Sequence, residues 1–274
     1  MLHDGYFDKV YYRFWESEAK THSVANIFAI HGLGGHCLWF DEAAKKFNIQ
    51  NINFFSFDLP GFGQSKYPKG TISSYKDWIS VTREVLENFL VHFEINSPVF
   101  ILGHSMGALI AILLSKNVRT NGWIFSVPGF EGDSQLFPVK TFVLPVLFKA
   151  VCMPSESITV PFGPELLTRN KGTQLKVKKD SLRVINLNAK VFLNVYLLSL
   201  LAKHKSDSLS PSVLMLEAGE DKICSRSAME KFFNGLKLQD KCKKIYPNSF
   251  HDLFIEDELE EIVFDISEWI KKRI

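Results

Sequence analysis

The sequence predicts an α/β protein: a mostly parallel, doubly wound sheet with an inserted helical cap. Three observations carry this. Short apolar runs alternate with stretches of helical period along most of the chain. One apolar run, Pro98–Leu102, enters a glycine-flanked turn and leaves as another apolar stretch, Ala108–Leu114. Between Pro128 and Ser210 the alternation breaks for about 80 residues, too long for a structureless loop in a compact domain.

In order, strands are expected near Asp8–Arg13, Val24–Ile30, Ile52–Phe57, Pro98–Gly103, Gly122–Val127, Val213–Ala218 and Cys242–Tyr246. Helices are expected near Leu38–Phe47, Tyr75–Phe93, Met106–Lys116, Ser225–Asn234 and Glu256–Lys272. The core is then residues 1–128 and 211–274, and the cap residues 129–210.

The turn at the centre is Gly103-His104-Ser105-Met106-Gly107. A strand, G-x-S-x-G and a helix in that order form a nucleophile elbow. The turn is so tight that the flanking positions must be small. It lifts the Ser105 hydroxyl above the sheet, at the positive end of the next helix. Without that context the pentapeptide is an ordinary Gly/Ser loop.

A serine hydroxyl is a weak nucleophile, so a histidine must take its proton and a carboxylate must orient that histidine. The elbow predicts the chain order Ser, Asp or Glu, His. Asp221 follows the strand Val213–Ala218, at a strand's C-terminal end, where open α/β sheets place their sites. His251 is the last histidine and stands on the loop after the last strand. Asp after Gly at a strand end is also a common turn residue, and Glu220 and Asp252 compete for the same role. Of the other histidines, His3, His22, His36, His92 and His204 read as ordinary surface or core residues. His104, inside the elbow, reads as structural.

Acyl transfer places negative charge on the substrate carbonyl oxygen, so the site needs preset donors. In an elbow fold these are the amide after the nucleophile, here Met106, and one from an early His-Gly-rich loop. His31-Gly32-Leu33-Gly34-Gly35-His36 follows the strand at Val24–Ile30, and Leu33 is the natural second donor. The alternative is a plain glycine-rich turn.

Through these segments the sequence resembles the α/β-hydrolases, and within them the lysophospholipase and monoacylglycerol lipase group. The resemblance runs from about Phe28 to the C-terminal helix. It is carried by His31–Gly34, Asp58-Leu59-Pro60-Gly61-Phe62-Gly63-Gln64-Ser65, Gly103–Gly107, Glu217–Asp221 and His251–Glu256. Leu167–Asn170 and Lys179–Leu182 are similar to a cap-region pattern of that group. The resemblance implies a Ser105–Asp221–His251 triad with Leu33 and Met106 at the oxyanion hole. Two departures concern substrate rather than chemistry: Asp58–Gly63 has the general hydrolase form where the lipase group more often carries histidines, and Ala108 replaces a frequent glycine.

Composition fits. The chain has 274 residues, 46% hydrophobic, with 24 Phe, enough to build a large core. A formal charge of +2 excludes an argument for nucleic acid or a strongly anionic partner. Lys271-Lys272-Arg273 and Lys176, Lys178 and Lys179 read as solvated faces. Cys37, Cys152, Cys224 and Cys242 have neither metal-ligand spacing nor a disulfide framework, so free thiols are expected. The N-terminal stretch lacks basic and apolar signal regions, and Leu136–Met153 is interrupted by Pro138, Lys140, Pro145 and Lys149. The expectation is therefore a cytoplasmic protein without a membrane span.

Substrate information lies in the cap. Phe130, Leu136, Phe137, Phe142, Val143, Leu144, Leu147, Phe148 and Val151 crowd one excursion, and Leu187, Val191, Phe192, Val195, Tyr196 and Leu200 continue at helical spacing. They are either the cap's own core or, in part, an acyl pocket at Phe142, Leu147 and Phe148 with transient contact to a membrane surface. The expected protein is a serine hydrolase without metal or cofactor, acting on single-chain lipid esters. A short-chain carboxylesterase is the first alternative and an amidase or peptidase the next. A non-catalytic binding protein is the alternative from another class, because fold alone does not fix function.

Overall fold

The structure, a computed structural model, describes residues 1–17, 23–205 and 209–274. In chain order the strands are β1 (Leu2–Phe7), β2 (Val10–Trp15), β3 (Ala25–Ile30), β4 (Ile52–Phe57), β5 (Val99–His104), β6 (Gly122–Ser126), β7 (Ser157–Thr159), β8 (Asn186–Asn188), β9 (Val213–Ala218) and β10 (Lys241–Tyr246). The helices are α1 (Asp41–Ile49), α2 (Tyr75–His92), α3 (Met106–Leu114), α4 (Leu144–Cys152), α5 (Pro164–Leu167), α6 (Lys171–Lys179), α7 (Ala189–Lys203), α8 (Arg226–Gly235) and α9 (Leu259–Lys271).

Eight strands form one sheet in the order β1-β2-β4-β3-β5-β6-β9-β10. From β4 to β10 all neighbours are parallel. Strand β2 is antiparallel to both β1 and β4. The strands between β4 and β9 are buried on both faces, so their sequences read as continuous apolar runs.

Adjacent phenylalanines of β4 show how the faces are covered, since successive side chains point to opposite sides. Phe54 stacks on Phe47 of α1 at 5.5 Å. Phe55 meets Phe89 of α2 at 4.4 Å and Phe28 of β3 at 5.3 Å. Helix α1 packs with α9 on the first face, and α2 packs with α3. Ser74 and Asp77 close a capping box that starts α2. Helix α3 is apolar all round because it lies between the sheet and α7.

Two elements differ from expectation. The strand expected at Asp8–Arg13 is the second arm of a hairpin. Asp8 has φ +52° and sits in its two-residue loop, with Phe7 facing Val10. The last helix starts at Leu259 rather than Glu256, because Leu253–Ile255 form a separate 3₁₀ turn and Glu256 is engaged in a buried network described below.

The excursion between β6 and β9 has structure of its own. A π-helical turn (Val139–Val143) leads into α4, which packs on α7. β7 and β8 form a two-stranded antiparallel ribbon holding Leu187, which is thus in a strand rather than the expected helix. Among the described residues no helix is long and apolar enough to cross a membrane.

Candidate active site

Ser105 stands between β5 and α3 with φ +53° and ψ −115°. The region is costly for a side-chain-bearing residue and persists only where the surroundings enforce it. A Cβ on Gly103 would lie 2.5 Å from Ala108 Cα, and one on Gly107 would lie 2.2 Å from the Ile30 carbonyl oxygen. Both flanks must therefore be glycine for β5, α3 and β3 to approach this closely. Ser105 remains partly accessible while its neighbours are buried.

His251 Nε2 lies 3.0 Å from Ser105 Oγ, and His251 Nδ1 lies 2.9 Å from Asp221 Oδ2. Asp221 Oδ1 accepts the amides of Ile223 (2.7 Å) and Cys224 (3.1 Å). Burial alone would raise the Asp221 pKa, but the His251 ring and these two amides together hold it below the ordinary aspartate value. For His251, burial opposes the charged ring and the Asp221 carboxylate overcomes it, so its pKa lies above the ordinary histidine value.

The competing carboxylates are placed elsewhere. Glu220 is exposed. Asp252 is buried, and its Oδ2 faces His104 Nε2 at 3.7 Å. His104 is pushed down to about 4 by burial and lies 3.3 Å, through Nδ1, from Ser126 Oγ. It supports the elbow from behind.

The His251 loop is tied down by Glu256, whose role no local sequence pattern marks. Glu256, 5% exposed, accepts the Phe250 amide at 2.7 Å, the Thr168 hydroxyl at 2.8 Å and the Arg169 amide at 3.1 Å. The Asp252 amide donates to the Leu167 carbonyl at 2.8 Å. The two segments, Leu167–Asn170 and His251–Glu256, are thus one hydrogen-bonded unit. Their joint appearance in the family-like pattern was the signal for it.

The glycine-rich loop after β3 reaches the nucleophile. A Cβ on Gly32 would lie 3.1 Å from Ser105 Cβ. His31 donates from Nδ1 to the Gly32 carbonyl (2.8 Å) and accepts the Leu59 amide at Nε2 (3.0 Å). Burial holds it at about 4, so it stays neutral and keeps both bonds. Asp58 Oδ1 accepts the Cys37 amide at 2.7 Å. Met106 is the first residue of α3, so its amide is one of the donors a helix cannot pair within itself. Leu33 lies in the turn closed by the Gly35 amide on the Gly32 carbonyl, at 3.3 Å.

Of the histidines read as ordinary, His92 and His204 are exposed and His3 lies 2.9 Å from Glu16. His22 lies outside the described residues. His36 is different: it is buried and bonded to Asp180. Of the three residues expected at a pocket, Phe142 packs edge-on against Phe137 and Phe192, Leu147 is half-buried, and Phe148 is 65% exposed. A separate groove between α1, α6 and α9, lined by His36, Trp39, Val177 and Asp180 among others, does not include Ser105, Asp221 or His251. Cys224, buried beside Asp221 and His251, completes a group of three possible metal-ligand side chains within 4.8 Å.

An elbow at the C-terminal edge of a parallel sheet, with a histidine and a carboxylate brought in from later loops, defines an α/β hydrolase. The chain belongs to the serine aminopeptidase S33 family, whose profile matches residues 21–258. It is 24% identical to mouse monoglyceride lipase over 96% of this chain and 86% of that protein. It is 27% identical to a Bacillus subtilis phospholipase over 87% and 92% respectively. An abhydrolase domain-containing protein of Dictyostelium discoideum is 27% identical over 96% of this chain, which spans 28% of that relative. A soluble variant of Saccharomyces cerevisiae monoglyceride lipase, solved with a substrate analogue, superposes with TM-score 0.88 at 20% identity, covering 100% of this chain and 95% of that one. The Paleococcus ferrophilus monoacylglycerol lipase gives 0.84 at 22% identity, covering 97% and 99%.

Proposed function

We propose that this chain hydrolyses carboxylic esters of single-chain lipids through an acyl-enzyme, with Ser105, His251 and Asp221 as the catalytic residues and residues 129–210 as a cap over them. The observation that carries the reading is the bridging position of His251, 3.0 Å from Ser105 Oγ and 2.9 Å from Asp221. In this reading His251 donates from Nδ1 to Asp221 and accepts the Ser105 hydroxyl proton at Nε2. The Ser105 oxygen attacks the ester carbonyl, and the amides of Leu33 and Met106 receive the oxyanion. His251 protonates the departing alcohol, then activates the water that releases the acid. Asp221 stays ionised and fixes the tautomer.

The lipid part of the reading is supported by the relatives' substrates and by the excursion's surface. Leu144, Phe148 and Val151, at i, i+4 and i+7 on α4, are 55%, 65% and 74% exposed, an apolar stripe suited to resting on a lipid surface. Phe142, in the turn before α4 and packed on Phe137 and Phe192, and Leu147, half-buried beside that stripe, are proposed to line the acyl path. The test is a chain-length series of p-nitrophenyl esters beside monoacylglycerol and lysophosphatidylcholine. Turnover should rise from acetate to at least octanoate. A profile flat or falling beyond butyrate makes the enzyme a short-chain carboxylesterase, and no turnover of any ester overturns the reading.

A further inference from the structure

The excursion grips the glycine-rich loop downstream of Leu33. His36, 3% exposed, donates from Nε2 to Asp180 Oδ2 at 2.7 Å. Trp39 Nε1–H donates to the same oxygen at 2.8 Å. Asp180 Oδ1 accepts the Leu182 amide at 2.9 Å, which fixes the carboxylate on its own turn. Four residues on, the Val184 amide donates to the Gly34 carbonyl at 3.0 Å. Gly34 has φ +77°, and a Cβ there would lie 2.8 Å from the Val184 carbonyl oxygen. Residues 180–184 and 34–39 are therefore held together by three hydrogen bonds across a separation of more than 140 residues.

Leu33 sits between this grip and the nucleophile. Its upstream neighbours are fixed by the core, through His31 on Leu59 and Gly32 against Ser105. Downstream, Asp58 of the core holds the Cys37 amide, while Gly34, His36 and Trp39 are held from the excursion. We propose that His36 and Asp180 are positioning residues, which hold the Leu33 amide in the oxyanion hole and make turnover depend on the excursion's seating on this loop. The inference rests on the hydrolase reading above and adds to it a residue pair that never touches substrate. The Asp180 carboxylate suits the role. Burial works against its charge, but the His36 and Trp39 donors outweigh that and hold its pKa at about 2, so it remains an acceptor throughout the neutral range.

Losing one oxyanion donor costs about 10²–10³ in turnover, and a displacement near 1 Å can cost about 10². A loosened Leu33 should cost less than a lost one. The test compares Asp180→Ala, Asp180→Asn, His36→Ala, His36→Gln and the double alanine variant on p-nitrophenyl acetate and decanoate, with thermal melting of each. Asp180→Ala and His36→Ala should each lower kcat about tenfold or more on both esters, since the oxyanion hole serves every acyl chain, with KM within about threefold. The double variant should be no worse than Asp180→Ala alone, because removing Asp180 already removes the His36 bond. His36→Gln, which keeps a donor, should recover most of the loss. Unchanged acetate turnover, a loss confined to decanoate, or a loss that tracks melting temperature with His36→Gln no better than His36→Ala overturns the proposal. Failure of the hydrolase reading is separate: the unmutated protein would then neither turn over acetate nor take up a fluorophosphonate.

Discussion

Asp221 and His251 stand thirty residues apart in sequence and 2.9 Å apart in space. Asp252, adjacent to His251, is directed instead to His104 at 3.7 Å. Sequence places Asp252 next to His251, but strand topology brings the Asp221 carboxylate against the ring. β9 and β10 are parallel neighbours, so the loops after them lie side by side.

Asp221→Asn should lower kcat by about 10⁴, the cost when the orienting carboxylate no longer selects the tautomer. Glu220→Gln should stay within about twofold of the unmutated enzyme. Asp252→Asn should cost far less than Asp221→Asn. Steady-state kinetics of the three variants decide the assignment, and a severe effect at Asp252 with a mild one at Asp221 reverses it.

The pH profile follows from the same pair. In the proposed mechanism the base is neutral His251, and Asp221 stabilises the charged ring against burial. The His251 pKa is therefore raised, and activity should fall as pH drops through a midpoint above the ordinary value of about 6.5. Neutralising the acid as Asp221→Asn removes the raising charge and leaves burial, so the acid limb should shift to lower pH. Profiles of kcat/KM measured between pH 5 and pH 9 test the sign, and an acid limb that moves upward contradicts it.

The exposed stripe of α4 and the half-buried Phe142 and Leu147 should separate by assay. A polar side chain at Leu147 or Phe142 should flatten the chain-length slope and leave acetate turnover nearly unchanged. Each buried methylene is worth up to about 0.8 kcal/mol, so two can change specificity roughly tenfold. Phe148→Ser should leave soluble esters unaffected and weaken turnover of monoacylglycerol in vesicles. Equal losses on all esters with a lowered melting temperature would mean that these residues are only the excursion's core.

The elbow was legible because its chemistry is local: Gly103, Ser105 and Gly107 must lie within five positions. The parallel strands were legible because full burial leaves uninterrupted runs such as Ile52–Phe57. The first strand was not, because Leu2–Phe7 is an edge strand with one half-buried face and Asp8 marks a turn only through its positive φ. The pairings of Glu256, His36 and Asp180 were not legible for a different reason. Each is bonded to a partner about 90 to 140 residues away, and no local pattern distinguishes a buried, paired carboxylate from a surface one. His36 reads as one more histidine in a glycine-rich turn until Asp180 is placed against it.

The central claim is that Ser105 is the nucleophile. Its most direct test is peptide mass spectrometry of the folded protein after fluorophosphonate treatment, with Ser105→Ala alongside. The account predicts one phosphonyl adduct, on the peptide containing Gly103–Gly107, and none anywhere in the alanine variant at an unchanged melting temperature. An unlabelled native protein, or an adduct that persists on another serine in Ser105→Ala, would contradict it.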